Sequence, residues 1–259
     1  MTSTSAPGAL APSPGAASLV RIVAVQTLAE VRMTVRNGEQ LLLTLVIPLV
    51  VLVGASHLPA DVVGWSPAID AVTPGVLALA VMSTAFTGQA IATGFERRYG
   101  VLKLLGATPL GRGRLLVAKT LGVLVVETLQ VLLLGGVALA LGWQPQGSIA
   151  QAVVLLVLGT AAFSALGLLL AGTLRAEATL AVANAVYLLL LVAGGVVLPA
   201  DRLPAGLAEV VRLLPSAALG QGLRDVLLHG LPLPLGPALV LVGWAVVAGA
   251  LTARTFRWS

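Results

Sequence analysis

The chain has 259 residues, of which 58% are apolar and 10% are charged, and its mean hydropathy is +1.03. Soluble domains carry about 25% charged residues, so this composition indicates an integral membrane protein with apolar runs long enough for helices. The formal net charge of +5 does not indicate nucleic-acid binding, because the basic residues lie in short loops beside apolar runs. The absence of cysteine excludes disulfides and thiolate chemistry, and two histidines argue against a histidine-rich metal site.

The N-terminal region predicts a tail followed by a surface helix. Residues 1–18 are rich in Ser, Pro, Ala and Gly and carry no charged side chain, which predicts a disordered tail rather than a signal peptide. Residues 19–37 have apolar positions at helical spacing and three arginines along one edge, which predicts an amphipathic helix at the membrane interface. A cytoplasmic helix with one side facing a partner remains the alternative.

Six apolar segments predict six membrane-spanning helices, at about 41–56, 74–94, 120–141, 148–174, 178–198 and 236–253. Residues 57–73 are predicted to form a loop between the first two. An even number of spans places both termini on one side, and that side receives twelve of the fifteen Lys and Arg residues. The positive-inside rule therefore predicts that both termini are cytoplasmic.

Residues 199–235 precede the last span and are predicted to be external. Leucines and valines between 203 and 214 have helical spacing, Pro215 interrupts them, and residues 217–228 form a second short apolar run. Each piece is too short to span a membrane, so we expect two short helices that dip into or cap the outer leaflet. A soluble external hairpin is the alternative. The predicted fold is an all-α membrane domain, residues 19–259.

The most charged stretch is residues 95–119, with six basic residues and one acid, Glu96. A Lys or Arg at the centre of a membrane helix costs about 2.5–3.5 kcal/mol, so we expect this stretch to lie in water or among head groups. Its apolar middle, residues 101–107, predicts a short helix along the membrane surface with an exposed apolar face and a basic rim. Such a loop either binds anionic lipid or docks a soluble partner.

Few residues suggest chemistry within the spans. Residues 113–120 resemble a phosphate-binding loop but lack its second glycine and a preceding strand, so we reject nucleotide binding there, and no catalytic set is found. Glu127 and Gln130 share one helix face, as do Asn184 and Tyr187. An acid inside a span indicates function, although a hydrogen bond between helices is an equal alternative for Glu127.

The loop motif resembles that of one family. The run E-R-R-Y-G-V-L-K-L-L-G-A-T-P-L at 96–110, followed by a basic turn and the pair Ala118-Lys119, is similar to the first cytoplasmic loop of ABC-2 type transporter permeases. These are the membrane subunits of type V ABC exporters, and the closer likeness is to drug-resistance-type exporters. The segment 203–225, the amphipathic N-terminal helix and the six spans also fit.

The resemblance implies a bacterial plasma-membrane permease that exports a hydrophobic or amphipathic substrate as a homo- or heterodimer, in contact with membrane lipid. No cofactor is expected in this chain, since ATP and Mg²⁺ would bind to a separate soluble ATPase. The coupling helix that contacts this ATPase would include Glu96, Arg97, Arg98, Gly100, Leu102, Lys103, Leu104, Leu105 and Pro109, with the three leucines as apolar contacts. The substrate path would follow the dimer interface near the third and fifth spans, lined by Glu127, Gln130, Asn184 and Tyr187. A non-transporting intramembrane enzyme or a membrane assembly factor is the alternative function.

Overall fold

A computed structural model describes residues 18–59, 65–106, 110–193 and 205–256, the side chains of 39–43, 106, 112, 193 and 205–208 excepted. Every regular element in these ranges is a helix. In chain order the helices are α1 (Leu19–Arg36), α2 (Gly38–Ser56), α3 (Ala68–Arg98), α4 (Val101–Gly106), α5 (Gly111–Ala140), α6 (Ile149–Thr173), α7 (Ala176–Ala193), α8 (Ala205–Arg212), α9 (Pro215–Leu227) and α10 (Leu235–Thr255). The predicted tail 1–17, Pro109 and residues 194–198 of the fifth predicted span lie outside the described residues.

Four of these helices are long and apolar enough to cross a membrane: α3, α5, α6 and α10. Two shorter apolar stretches, Thr44–Ser56 in α2 and Ala176–Val192 in α7, lie where the first and fifth spans are predicted. The prediction of an all-helical, multi-pass membrane protein is therefore confirmed, while the count of six spans stays a prediction.

The predicted loop 57–73 is wrong in its last third, because α3 already begins at Ala68. Pro67 has an extended backbone, and Asp70 lies in the first turn of the helix. An acidic residue in a first turn stabilises the positive end of the helix dipole. The Asp70 carboxylate also accepts a hydrogen bond of 2.9 Å from the backbone N–H of Gln144, which ties the start of α3 to the end of α5. These polar residues mark the beginning of a helix rather than a loop.

Helix α3 lies at the centre of the fold. It packs against α2, α5, α6, α7 and α9, and 83% of its most apolar stretch is buried. Its middle segment, Met82–Gly88, is π-helical, and α6 approaches it closely at Gly167. A Cβ atom at Gly167 would lie 2.7 Å from the carbonyl oxygen of Phe86. Glycine is therefore required there for the two helices to meet.

Helix α1 packs along α5 and has no fully buried residue. Ile22 packs against the apolar cluster that contains Leu115 of α5, and the Thr27 hydroxyl donates to the Ala118 carbonyl at 3.4 Å. A Cβ atom at Gly122 would lie 2.8 Å from the Cβ of Glu30, so the glycine makes room for that side chain. Several large apolar residues of α1 remain exposed, as expected for a helix at an interface: Leu19, Val20, Val25, Leu28, Met33 and Val35.

Candidate functional site

The basic stretch is organised by a glycine turn between α3 and α4. Helix α3 ends at Arg98, and the N–H of Gly100 donates to the Arg97 carbonyl at 3.1 Å. Gly100 has a φ of +76°, a conformation that glycine adopts without steric cost and that commonly ends a helix. Helix α4 begins at Val101, immediately after this turn.

Helix α4 is anchored by one leucine and exposes another. The Leu102 side chain is fully buried in a small apolar cluster with Leu110, Leu115 and Phe256. Leu104 is 73% exposed, and Leu105 is half-buried against the same cluster. Leu102 therefore fixes the helix to the protein and does not face outward, which corrects its expected place among the apolar contacts for a partner.

Arg97 is bound to the end of another helix. Its guanidinium donates to the carbonyl oxygen of Ala171 at 2.9 Å and to that of Leu174, at the C-terminus of α6. The last carbonyls of a helix lack partners within the helix and carry partial negative charge, so a guanidinium there is favourable. Arg98 pairs instead with Glu177 at the start of α7, where both side chains are more than half exposed. Of the two arginines, only Arg98 lies on the open surface.

A buried ion triad joins three helices below the loop. The Lys119 ammonium lies 2.9 Å from a carboxylate oxygen of Glu30 on α1 and 2.7 Å from one of Glu96 on α3. The Lys119 side chain is only 3% exposed, and the two carboxylates are 12% and 16% exposed. The sequence predicts that Lys119 lies in water or among head groups, and this prediction is wrong. Helix α5 starts at Gly111, so Lys119 lies in its third turn, inside the protein. Burial of its charge is compensated by two carboxylates with short contacts.

A polar cavity of about 40 Å³ adjoins this triad. Its lining includes Glu30 and Lys119 and the buried side chains of Gln89 and Thr93. The side-chain amide oxygen of Gln89 accepts a hydrogen bond of 2.7 Å from the Ser164 hydroxyl. The hydroxyl oxygen of Ser164 also lies 2.9 Å from the hydroxyl oxygen of Thr120. Polar contacts thus continue from the triad into the contact between α3, α5 and α6.

Two of the predicted substrate-path residues are buried inside the chain. The Glu127 carboxylate accepts a hydrogen bond of 2.7 Å from the Thr160 hydroxyl on α6. The side-chain amide oxygen of Gln130 accepts a hydrogen bond of 2.8 Å from the Thr84 hydroxyl on α3. Glu127 is 3% exposed, so it does not line an outer face of the chain. The contact is the hydrogen bond between helices that the sequence left open as an alternative.

The other two predicted residues lie apart from the first pair. Asn184 is exposed on α7 and donates to the Leu180 carbonyl of its own helix at 2.9 Å. Tyr187 is half-buried on the same helix. Helices α5 and α7 do not pack along each other, so the structure does not bring the four residues into one site.

The sequence-based reasoning missed the partners of these groups. Glu30 is the one acid within α1, and Thr160 and Ser164 are four residues apart on one face of α6. That spacing is a signal of a polar stripe, but it does not reveal which helix the stripe faces. Among the described residues no group of three or more His, Cys, Asp or Glu could hold a metal ion. The site therefore consists of the short helix α4, which Leu102 anchors, and the buried ion triad of Glu30, Glu96 and Lys119.

Comparison with known proteins places the chain in a family. A family model described as ABC-2 type transporter matches residues 23–228, which include the basic stretch, the ion triad and α9. A search of curated proteins gave no match to this chain. The family match covers well over half of the 259 residues and agrees with the motif in the basic stretch. The chain belongs to the ABC-2 type transporter family and is a membrane permease of that family.

Proposed function

We propose that this permease is the membrane subunit of an ATP-driven exporter, paired with a separate ATPase, that moves a hydrophobic or amphipathic substrate out of the cytoplasm or inner leaflet of a bacterial plasma membrane. The family normally works with an ATPase partner. ATP and Mg²⁺ would bind to that partner, and this chain would need no cofactor. Two permease subunits, identical or related, would form the complete pathway.

The proposal includes six spans and cytoplasmic termini. Helix α2 has 19 residues and α7 has 18, which at 1.5 Å per residue gives about 27–28 Å for each. The hydrocarbon core is about 30 Å thick, so α7 is close to the length required, whereas the apolar part of α2 after Gln40 is shorter and would need the bilayer to thin around it. If these two helices and the four longer ones all span the membrane, the twelve-to-three division of basic residues supports a cytoplasmic position for α4 under the positive-inside rule.

The observation that carries the proposal is the outward face of the α3–α4 turn. Leu104 and Tyr99 are 73% and 74% exposed, and Lys103 and Arg98 are exposed beside them. An exposed tyrosine suits the centre of a docking surface, and the exposed leucine adds apolar area that a partner can bury. The cations around them suit orientation and faster association with an acidic partner surface.

The contacts beneath this face provide a route for movement. Arg97 connects the end of α3 to α6, and the triad connects α3 to α1 and α5. A displacement of α4 by the ATPase would therefore act on four helices together rather than on the loop alone. These contacts support a coupling role for Glu96 and Arg97 that is internal, without direct contact to the ATPase.

The substrate path is proposed along the exposed face of α7. That face carries the amide of Asn184 among exposed apolar side chains at Leu180, Leu188 and Leu189. A polar group on an otherwise apolar outer face suits a surface shared by two subunits and an amphipathic substrate. Glu127 and Gln130 would then support the path by holding α5 against α3 and α6.

Co-purification tests the docking face directly. The tagged permease is co-expressed with a candidate soluble ATPase, for which the neighbouring gene is the first choice. Burial of one leucine contributes about 1.5–3 kcal/mol. Leu104→Asp removes this contribution and adds an unpaired charge, so the ATPase should bind at least tenfold more weakly.

Two comparisons make the result specific. Leu231→Asp is the matched control, because Leu231 is 50% exposed at the opposite end of the molecule. If the loop instead holds anionic lipid, Arg98→Gln with Lys103→Gln should reduce recovery of the ATPase more than Leu104→Asp does. Full recovery of the ATPase with Leu104→Asp contradicts the docking model.

A further inference from the structure

A cavity lies at the opposite end of the bundle from α4. It has a volume of about 380 Å³ and is enclosed by the end of α8, one face of α9 and the first turns of α10. Such a volume is in the range of small-molecule sites. Small residues create the space: Ala217 and Ala218 on α9 and Gly236 on α10. A Cβ atom at Gly236 would meet nothing within 4 Å.

The cavity has a positive polar side. Arg212 and Arg224 both line it, together with Gln221 and Asp225. The Gln221 amide donates to the Asp225 carboxylate at 2.8 Å, so this acid is already partnered. A carboxylate oxygen of Glu209 lies 3.7 Å from a guanidinium nitrogen of Arg212. Both side chains are largely exposed, and such a surface ion pair contributes little to stability. Among the described lining residues, two side chains are guanidiniums and one is a carboxylate.

The opposite side of the cavity opens onto an apolar track along α10. Pro237 and Val240 line the cavity. Gly243 and Val247 continue the same helix face at spacings of three and seven residues from Val240, and both are exposed. A Cβ atom at Gly243 would meet nothing within 4 Å, so the track is a shallow groove at that point. Trp244, beside the track, donates from its indole N–H to the Leu213 carbonyl at 2.8 Å, which holds α8 against α10.

The depth of the cavity matches the level of lipid head groups. Helix α10 has 21 residues and is about 31 Å long, close to the 30 Å of the hydrocarbon core. Gly236 is its second residue and Val240 lies about 6 Å further along. The guanidiniums are thus at the boundary of the membrane, and the apolar track runs from there into the hydrocarbon.

We infer that this cavity binds an anionic phospholipid, with the phosphate between Arg212 and Arg224 and an acyl chain along Val240, Gly243 and Val247. Guanidinium groups recognise phosphate through paired, charge-assisted hydrogen bonds. Basic pockets between membrane helices on the cytoplasmic side bind anionic head groups, and the same contacts are available to a lipid at the external surface. The inference takes only the external position of α9 from the proposed function, and it requires neither the ATPase nor transport.

Photo-crosslinking of a lipid to the purified full-length permease tests this site. The probe is phosphatidylglycerol with a diazirine in its acyl chain, added at increasing mole fraction to phosphatidylcholine nanodiscs. We expect crosslinks on the stretch 240–247. Arg212→Gln with Arg224→Gln should raise the half-saturating mole fraction of the probe at least tenfold, since each hydrogen bond to a charged group contributes about tenfold.

Further single variants distinguish loss of the binding site from misfolding of the protein. Arg212 is mostly exposed and Gly236 faces open space, so Arg212→Gln and Gly236→Leu should fold normally. Each should still weaken probe binding several-fold. The matched controls are Arg254→Gln, an exposed arginine at the other end of α10, and Gly249→Leu, a glycine with open space on another face of α10. Unchanged probe binding in both Arg212→Gln and Gly236→Leu overturns the inference.

Two more arms identify the occupant. Glycerol phosphate carries the same anion without acyl chains, and at millimolar concentration it should not displace the probe. Full displacement would make this a soluble-anion site and overturn the lipid assignment. Because the chain has no cysteine, Gly236→Cys provides a single thiol. An efficient disulfide between two copies through this thiol would mean that a second subunit covers the cavity, which also overturns the inference. Neither result alters the co-purification test at Leu104.

Discussion

The buried triad makes a quantitative prediction about Lys119. Lys119→Met leaves the carboxylates of Glu30 and Glu96 facing each other, at 12% and 16% exposure, without the cation that lies within 3 Å of both. Removing one partner of a buried ion pair typically costs 3–5 kcal/mol. We expect a loss of about this size, and the loss should be larger than for Glu30→Gln, which leaves the pair of Lys119 and Glu96 in place.

The triple variant Glu30→Met, Glu96→Met, Lys119→Met should be more stable than Lys119→Met alone. Replacing a complete buried ion group with apolar residues is often neutral or stabilising, so most of the loss should be recovered. The assay is reversible unfolding in mixed micelles with increasing SDS, followed by circular dichroism. Lys103→Met, at an exposed lysine of α4, is the control and should change stability by less than about 0.5 kcal/mol. The reasoning fails if Lys119→Met is within 1 kcal/mol of the wild type, or if the triple variant is no more stable than the single one.

Three further predictions concern orientation and two polar side chains. Single cysteines at the exposed positions Lys103 and Leu231 should react with an impermeant maleimide from opposite sides, with Leu231→Cys labelled in intact cells; external labelling of Lys103→Cys would reverse the topology. Glu127→Ala should lower the free energy of unfolding by about 1–3 kcal/mol because it removes the partner of Thr160. Asn184→Leu, on the exposed face of α7, should leave stability within about 0.5 kcal/mol but reduce transport; the proposed path is contradicted if transport is normal.

Periodicity and composition were sufficient for the elements that depend on local sequence. The apolar spacing of residues 19–37 predicts α1, and Pro215 marks the beginning of α9. The glycine of the E-R-R-Y-G motif lies at the one turn between α3 and α4 and has the positive φ that explains its presence. Such features follow from the preferences of a few consecutive residues, and a single sequence contains that information.

The pairing of charged residues could not be predicted in the same way. Lys119 is 89 residues from Glu30 along the chain, and Arg97 is 74 residues from Ala171. Which groups meet depends on how the helices pack and rotate, and the charge pattern alone favoured solvent for all six cations of the basic stretch. Leu102 and Leu104 show the same limit at short range, because both are apolar and only the packing of α4 against Phe256 distinguishes the anchor from the exposed residue.

The π-helical segment Met82–Gly88 sets the rotational phase of the basic end of α3. A π-helical turn accommodates an extra residue within an α-helix, and one residue corresponds to a rotation of about 100°. Conversion of this segment to regular α-helix would therefore turn Glu96 away from Lys119 and Arg97 away from the carbonyls of α6. The apolar half of α3, 83% of whose most apolar stretch is buried, would stay in place while the basic end turned. The contacts of Glu96 and Arg97 therefore depend on the π-helical segment as well as on their partners.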